Sequence, residues 1–277
     1  MIDRFRMDVT VVVPCFNEGR RLRADGFRDL FRAHRFRVLF VDDGSTDDTL
    51  AVLDSICAGH TSRAGVLRLP RNVGKAEAVR RGLLAALDQG SSIVGFLDAD
   101  LATPASEMVR LCETLSQAGA EVALGARVAL LGSRVERSAL RHYLGRVFAT
   151  AASMILKLKV YDTQCGAKAF RATPLLSAVL GSPLHARWAF DVELIGRLLA
   201  GAGGVPGLPV SAFLEMPLRT WTDVAGSKLR PSHFPMLGVE LLRIFFALRR
   251  FRRHRPGTLP SPVEADATFQ MDSSDAA

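Results

Sequence analysis

An α/β fold, with a mostly parallel central sheet flanked by helices, is what this 277-residue sequence predicts. Three observations carry the prediction. Short runs are apolar at every position, segments of helical period lie between them, and the links are only a few residues long. Runs without polar alternation belong to strands covered on both faces, as crossover helices cover a parallel sheet.

The first strand spans residues 9–13, a β-branched run that stops at Pro14. Residues 20–34 are polar and helix-permissive. A second strand, 36–41, delivers Asp42-Asp43-Gly44-Ser45 at its carboxyl end. Thr46-Asp47-Asp48-Thr49 then opens a helix with capping side chains and acids in its first turn. Residues 65–69 make a third strand, 75–87 a helix, and 93–97 a fourth strand ending at Asp98-Ala99-Asp100. Pro104 starts another helix. Beyond residue 120 the rhythm weakens: a strand at 122–125, a long helix at 138–158, a helix at 190–199, a Gly/Pro loop at 201–207 and a strand at 210–216.

The last regular element is a helix at 235–253. Leu237, Leu241, Leu242, Phe245, Phe246 and Leu248 form one broad face, with Arg243, Arg249, Arg250, Arg252 and Arg253 around and after it. Residues 256–277 lack periodicity and are expected to be disordered. The predicted organisation is an α/β domain at 1–230, an amphipathic basic helix at 231–255, and a tail at 256–277.

Composition bounds the function. Hydrophobic residues are 48% and charged residues 23%, which allows a full core and excludes a disordered, collagenous or disulfide-built chain. The net charge of +8 is uneven: residues 243–255 hold six Arg and no acid, while 256–277 hold four acids and no base. A basic run that short, with aromatics only at Phe245, Phe246 and Phe251, argues against a nucleic-acid module. Cysteines at 15, 57, 112 and 165 form no CxxC pair, so zinc-knuckle and dithiol chemistry are not expected, and free thiols suit a cytoplasmic setting. The start of the chain is too polar for a signal peptide. The apolar stretch 147–156 is far short of the about 20 residues that cross a bilayer.

Ligands of open parallel sheets bind beyond the carboxyl ends of the strands. The polar motifs fall there: Pro14, Asn17 and Glu18 after the first strand, Asp42 and Asp43 after the second, Asp98 and Asp100 after the fourth. Asp98-Ala99-Asp100 is either a turn pair or two carboxylates sharing a hard divalent cation, which takes one or two carboxylates plus phosphate oxygens. Asp42-Asp43-Gly44-Ser45 is a turn with a cap, or a carboxylate presented to a nucleobase N–H. Arg71-Asn72-Val73-Gly74-Lys75 is an ordinary helix start, or a lysine and helix-terminal amides beside a phosphate. The GxxxxGK[ST] pattern of a P-loop is absent.

In this order and spacing, residues 14–18, 42–45, 72–75 and 98–100 resemble the inverting glycosyltransferases of family 2, which have the Rossmann-like GT-A fold. Asp162-Thr163-Gln164-Cys165-Gly166-Ala167-Lys168-Ala169-Phe170, Arg187-Trp188-Ala189-Phe190-Asp191-Val192-Glu193-Leu194, and Trp221 followed by Gly226-Ser227-Lys228-Leu229 are similar to dolichyl-phosphate glucosyltransferases and bacterial polyprenyl-phosphate relatives. The resemblance covers roughly residues 8–250. It implies transfer of a hexose, glucose, from a UDP-sugar to a polyprenyl phosphate. Asp43 is then expected at uracil, Glu18 at ribose, Lys75 at the diphosphate, and Asp98 and Asp100 at the nucleotide and a Mg²⁺ or Mn²⁺ ion. Pro14, Asn17 and Asp42 belong to the same donor motifs. Arg127, Arg141 and Lys228 are expected at the acceptor phosphate, where guanidinium forks suit phosphate oxygens. Asp162 is expected near the reaction centre, in a positioning role. Asp191 and Glu193 remain open between acceptor contact and pairing with Arg187 or Arg197.

A lipid acceptor implies work at a membrane surface, peripherally and on the cytoplasmic face. A helix with an apolar face and flanking Arg residues lies in the headgroup plane, although the same pattern fits a core helix with a basic tail. Many relatives carry transmembrane helices after this region. Their absence here leaves open a soluble metabolite or glycan acceptor, or a membrane partner protein.

Overall fold

The computed structural model describes residues 8–136, 139–224 and 234–253. Its centre is a seven-stranded sheet. The strands are β1 (Val9–Cys15), β2 (Phe36–Asp42), β3 (Ala64–Arg68), β4 (Ile93–Leu97), β5 (Val122–Ala126), β7 (Ala167–Arg171) and β10 (Phe213–Pro217). Their order is β10-β5-β7-β4-β1-β2-β3. β1 pairs in parallel with β2 and β4, β2 with β3, and β10 with β5. Only β7 runs backwards, between β4 and β5. The mostly parallel sheet is therefore as the sequence predicts. The expected tail at 256–277 lies outside the described residues.

The strand sequences explain the layering. Val11 and Val13 point to one face, and Val12 to the other. On the first face, Phe40, Ile93 and Leu97 pack with Leu30 of α1 (Arg28–Arg32), Leu53 of α2 (Thr49–Ala58), and Met108 and Leu111 of α4 (Ala105–Gln117). On the second, Val12, Val94, Phe96 and Phe170 pack with Leu83 of α3 (Lys75–Asp88), Phe148 of α5 (Ala139–Leu156), Leu176 of α6 (Pro174–Leu180) and Ile195 of α7 (Phe190–Ala200). α3 sits directly on the sheet because residue 82 is glycine: a Cβ there would collide with Val12 and stand 2.8 Å from Val41. That close approach sets the first residue of α3, Lys75, over the strand ends.

Several elements depart from the sequence reading. Residues 20–34 yield a single 3₁₀ turn at Ala24–Phe27 and the five-residue α1. The helix expected from Thr46 begins at Thr49; its Asp48 N-cap makes no side-chain capping bond, and Asp47 accepts Thr49 N–H at 3.0 Å instead. Residues 201–207 fold into a ribbon of β8 (Gly201–Ala202) and β9 (Val205–Pro206), and β10 is preceded by a 3₁₀ turn at Val210–Ala212. β6 (Arg134–Glu136) and β11 (Thr220–Thr222) pair as a small parallel ribbon. Neither β7 nor α6 was legible.

α8 (Phe234–Arg253) has two faces. Leu241, Ile244 and Leu248 are buried against the core, while Val239, Leu242 and Phe246 are 48–60% exposed. Its Glu240 is buried and accepts the backbone N–H groups of Arg187, Trp188 and Ala189 at 3.2, 3.0 and 2.8 Å, just ahead of α7. No helix among the described residues is long and apolar enough to cross a membrane.

Phe96 lies at the middle of the sheet, fully buried beside Phe170 and Phe190. Phe96→Ala is expected to cost about 3–5 kcal/mol through lost burial and a cavity, read as a lower midpoint in urea with an unchanged slope.

Candidate active site

A single cleft of about 650 Å³ opens at the carboxyl edge of the sheet. Glu18 reaches it from the end of β1, Asp43 from β2, Asp98 and Asp100 from β4, and Arg127 from β5. The reversed strand contributes its opposite end. Because Ala167 pairs with Leu97, the segment 161–166 ahead of β7 arrives at the same edge. Arg146 of α5, Trp188, Asp191 and Trp221 complete the wall.

The acids on the β1–β4 side are already organised. Both Asp43 oxygens accept backbone N–H groups, from Val73 at 2.8 Å and Gly74 at 2.9 Å, and so shape the approach to α3. Burial nevertheless pushes the Asp43 pKa up, outweighing those two bonds. Burial, reinforced by neighbouring Asp98, also raises the Asp100 pKa, while Asp100 accepts Ala102 N–H at 3.1 Å. Asp98 meets Lys75 Nζ at 2.6 Å. Desolvation pulls the Lys75 pKa down, but Asp98, Asp191 and Asp100 together outweigh it and the ammonium is held charged. Gly166 is required opposite: a Cβ there would collide with the Asp98 carboxylate.

The other side is a basic corner. Arg127 grips Asp162 through Nε at 2.6 Å and Nη2 at 2.8 Å, and its own N–H adds a third bond at 3.1 Å. Burial pushes the Asp162 pKa up, yet the guanidinium wins and holds this carboxyl well below the usual carboxylate range. Glu215 of β10 fixes the loop from beneath by accepting the N–H groups of Tyr161 and Asp162. Deeper still, fully buried Lys168 pairs with Asp191 at 2.7 Å. The Thr163 hydroxyl and Gln164 amide nitrogen of this wall are buried without a hydrogen-bond partner among the described residues, which leaves polar groups for a bound molecule.

Of the residues singled out in the sequence, Pro14, Glu18, Asp43, Lys75, Asp98, Asp100, Arg127 and Asp162 line this one cleft. Glu18 is held there by a two-pronged bond from Arg21, at 2.7 and 2.6 Å. Asn17 and Asp42 do not line it. Asn17, at φ 53°, accepts Thr46 N–H, and Asp42 accepts Ser45 N–H. The Asn17 oxygen ties the loop after β1 to the turn after β2, and the Asp42 oxygen closes that turn on itself, so both shape the floor from behind. Arg141 lies on α5 with its side chain outside the described residues, and Lys228 lies outside them altogether. Glu193 turns inward to pair with buried Arg197 at 2.6 Å, and Asp191 takes Lys168. Lys168 and Glu215 escaped sequence reasoning. A lysine inside a strand-length apolar run was the signal for the first, and Glu215 had none.

Chemically, the cleft separates two tasks. The carboxylates of Asp98 and Asp100 fit a hard divalent cation, since their crowding raises Asp100 and a dication would relieve it. Among the described residues no group of three or more His, Cys, Asp or Glu forms a complete metal shell. Such an ion would take the rest of its coordination from a ligand's oxygens and water, the habit of magnesium-type sites. On the other side Arg127 and Arg146 line the cleft, and their guanidinium groups suit a second anionic group.

The model of the glycosyl transferase family 2 matches residues 10–176. A dolichyl-phosphate beta-glucosyltransferase of Drosophila melanogaster is 34% identical over 81% of this chain and 70% of its own length. A polyprenol monophosphomannose synthase of Mycolicibacterium smegmatis is 26% identical over 81% of this chain and 83% of its own. In fold, the chain is similar to glucosyl-3-phosphoglycerate synthase from Mycobacterium tuberculosis, crystallised with Mn²⁺, UDP and glucosyl-3-phosphoglycerate. The TM-score is 0.62 and the identity 22%, over 91% of this chain and 82% of that one. This likeness bears out the expected GT-A architecture.

The Arg127–Asp162 pair gives a pH-dependent test. Asp162→Asn is expected to destabilise the fold at pH 7 by about 3–5 kcal/mol, because it leaves a buried guanidinium unmatched. The Asp162 carboxyl titrates below its unfolded value, so its contribution is complete above about pH 4 and fades as the pH falls through the folded value. Urea unfolding at pH 7 and pH 3 should show the gap between wild type and variant narrowing in acid; an equal gap at both contradicts the pairing.

Proposed function

The chain belongs to glycosyl transferase family 2 and is a glycosyltransferase, and from that premise we propose that it transfers glucose from UDP-glucose to the phosphate of a polyprenyl lipid, with inversion. The observation that carries this reading is the meeting of the donor-type acids and the basic Arg127–Asp162 corner in one cleft. Likeness to a dolichyl-phosphate beta-glucosyltransferase over four-fifths of the chain supports glucose and the lipid phosphate.

On the donor side, Asp43 meets uracil, Glu18 the ribose and Lys75 the diphosphate. Asp98 and Asp100 would hold Mg²⁺, or Mn²⁺ as crystallised with the structural neighbour. Bound there, the ion would supply charge for a departing diphosphate. The acceptor needs no strong base, because a phosphate monoester has a second pKa near 6 and is largely ionised at neutral pH. Asp162, held ionised by Arg127, orients that guanidinium toward the acceptor phosphate. Arg141 and Lys228 are further candidates for the same phosphate. The catalytic work is to hold two anionic groups in line and stabilise the leaving one.

Residues 1–230 form the transferase unit, braced from α8 by Glu240, and 231–255 also make the contact with a membrane on its cytoplasmic face. The outward stripe of Val239, Leu242 and Phe246 beside exposed Arg243 and Arg249 supports this, since such a face settles among lipid headgroups. Each basic residue near an anionic surface adds about 1 kcal/mol.

A panel of nucleotide sugars with Mg²⁺ or Mn²⁺, offered polyprenyl phosphate or a phosphorylated soluble metabolite and read by product mass, tests the reaction. Glucosyl transfer to the lipid is expected; transfer only to the soluble acceptor overturns the acceptor assignment. Asp100→Asn should lower kcat by about 10²- to 10³-fold with an unchanged circular dichroism spectrum. Phe246→Glu with Leu242→Glu leaves the buried face of α8 intact and should weaken co-sedimentation with anionic vesicles at least about tenfold, given about 1.5–3 kcal/mol per buried large apolar side chain. Unchanged sedimentation removes the membrane-contact reading.

A further inference from the structure

Lys75 and Asp98 form the most consequential ion pair in the cleft, at 2.6 Å with side chains 43% and 29% exposed. The contact takes up an oxygen of the carboxylate that a divalent cation would need. An ammonium and a dication on one half-buried carboxylate repel strongly, because the site lacks the screening of bulk water. The two therefore compete for Asp98.

Lys75 has another place to rest. Its ammonium stands 5.8 Å from the Phe190 ring centre. The next residue, Asp191, acts on it electrostatically together with Asp98 and Asp100. Asp191 itself is anchored: fully buried Lys168 holds it at 2.7 Å and donates to the Cys165 carbonyl at 2.5 Å. A fixed acid thus faces a cation on a flexible four-carbon stem. Three carboxylates, Asp98, Asp100 and Asp191, are balanced by two ammonium groups, Lys75 and Lys168, which leaves one net negative charge. A dication reverses that sign, and the reversed field suits a diphosphate.

We propose that Lys75 is a resident counter-cation of Asp98 that gives way, toward Asp191 and an arriving diphosphate, before a divalent cation binds, so that metal and nucleotide enter cooperatively and metal alone binds weakly. The inference rests on the metal-assisted reading given above and adds to it an order of assembly. Asp191 and Lys168 serve in it as positioning residues.

Mn²⁺ alone is the probe, titrated into the full chain with and without saturating UDP and followed by the paramagnetic resonance signal of the free ion. Wild type is expected to bind Mn²⁺ weakly without UDP and about 5- to 150-fold more tightly with it. Lys75→Met keeps the stem without the charge, and Lys75→Gln keeps a polar end. Both, once shown folded by circular dichroism, should tighten Mn²⁺ binding without UDP about tenfold and shrink the effect of UDP. Equal or weaker affinity in both variants, with UDP-promoted binding intact in wild type, overturns the role of Lys75 and leaves the metal site standing. Failure of wild type to bind Mn²⁺ even with UDP overturns the metal-assisted reading and this inference with it.

Discussion

The site depends on one constraint: a carboxylate withdrawn from water at the end of a sheet must have its charge answered. Each acid in the cleft meets it differently. Asp43 is satisfied by two backbone N–H groups, Asp162 by the fork of Arg127, Asp191 by buried Lys168, and Asp98 by Lys75. Asp100 is the least compensated, with a single backbone bond and a like charge beside it, and its pKa rises accordingly. Excess negative charge therefore collects around Asp98 and Asp100, while Arg127 and Arg146 line the opposite side. That gradient across one cavity is what a reaction between two phosphate-bearing molecules requires: a cation-seeking end for the leaving group and an anion-seeking end for the nucleophile.

The sheet edge was legible because parallel strands announce themselves twice, first as unbroken apolar runs and then as abrupt polar endings. Val9 to Val13 followed by Glu18, and Ile93 to Leu97 followed by Asp98 and Asp100, needed no knowledge of distant partners. The rest needed it. β7 carries Lys168 as its second residue, and a charged residue there argues against a central strand until its partner Asp191, on a different element, is known. Glu215 lies in an ordinary strand and matters only because the loop bearing Asp162 passes over it. Asn17 and Asp42 show a second use of polar residues at strand ends: their oxygens satisfy N–H groups of the turns themselves.

The reversed strand also explains how one edge gathers so many groups. A purely parallel sheet would send the segment before each strand to the far side. Running β7 backwards between β4 and β5 brings Asp162, Gln164 and Gly166 beside Asp98 and Arg127. The missing side chain at Gly166 then gives Asp98 room to stand in the cleft.

Glu240 gives α8 a second significance. Its carboxylate receives the amides of Arg187, Trp188 and Ala189, so the last helix of the chain doubles as the lintel over the doorway beside Trp188. Cutting the chain ahead of α8 would strand those amides and unbuckle the frame, and a shortened protein would lose catalytic competence for reasons of architecture as much as of anchorage.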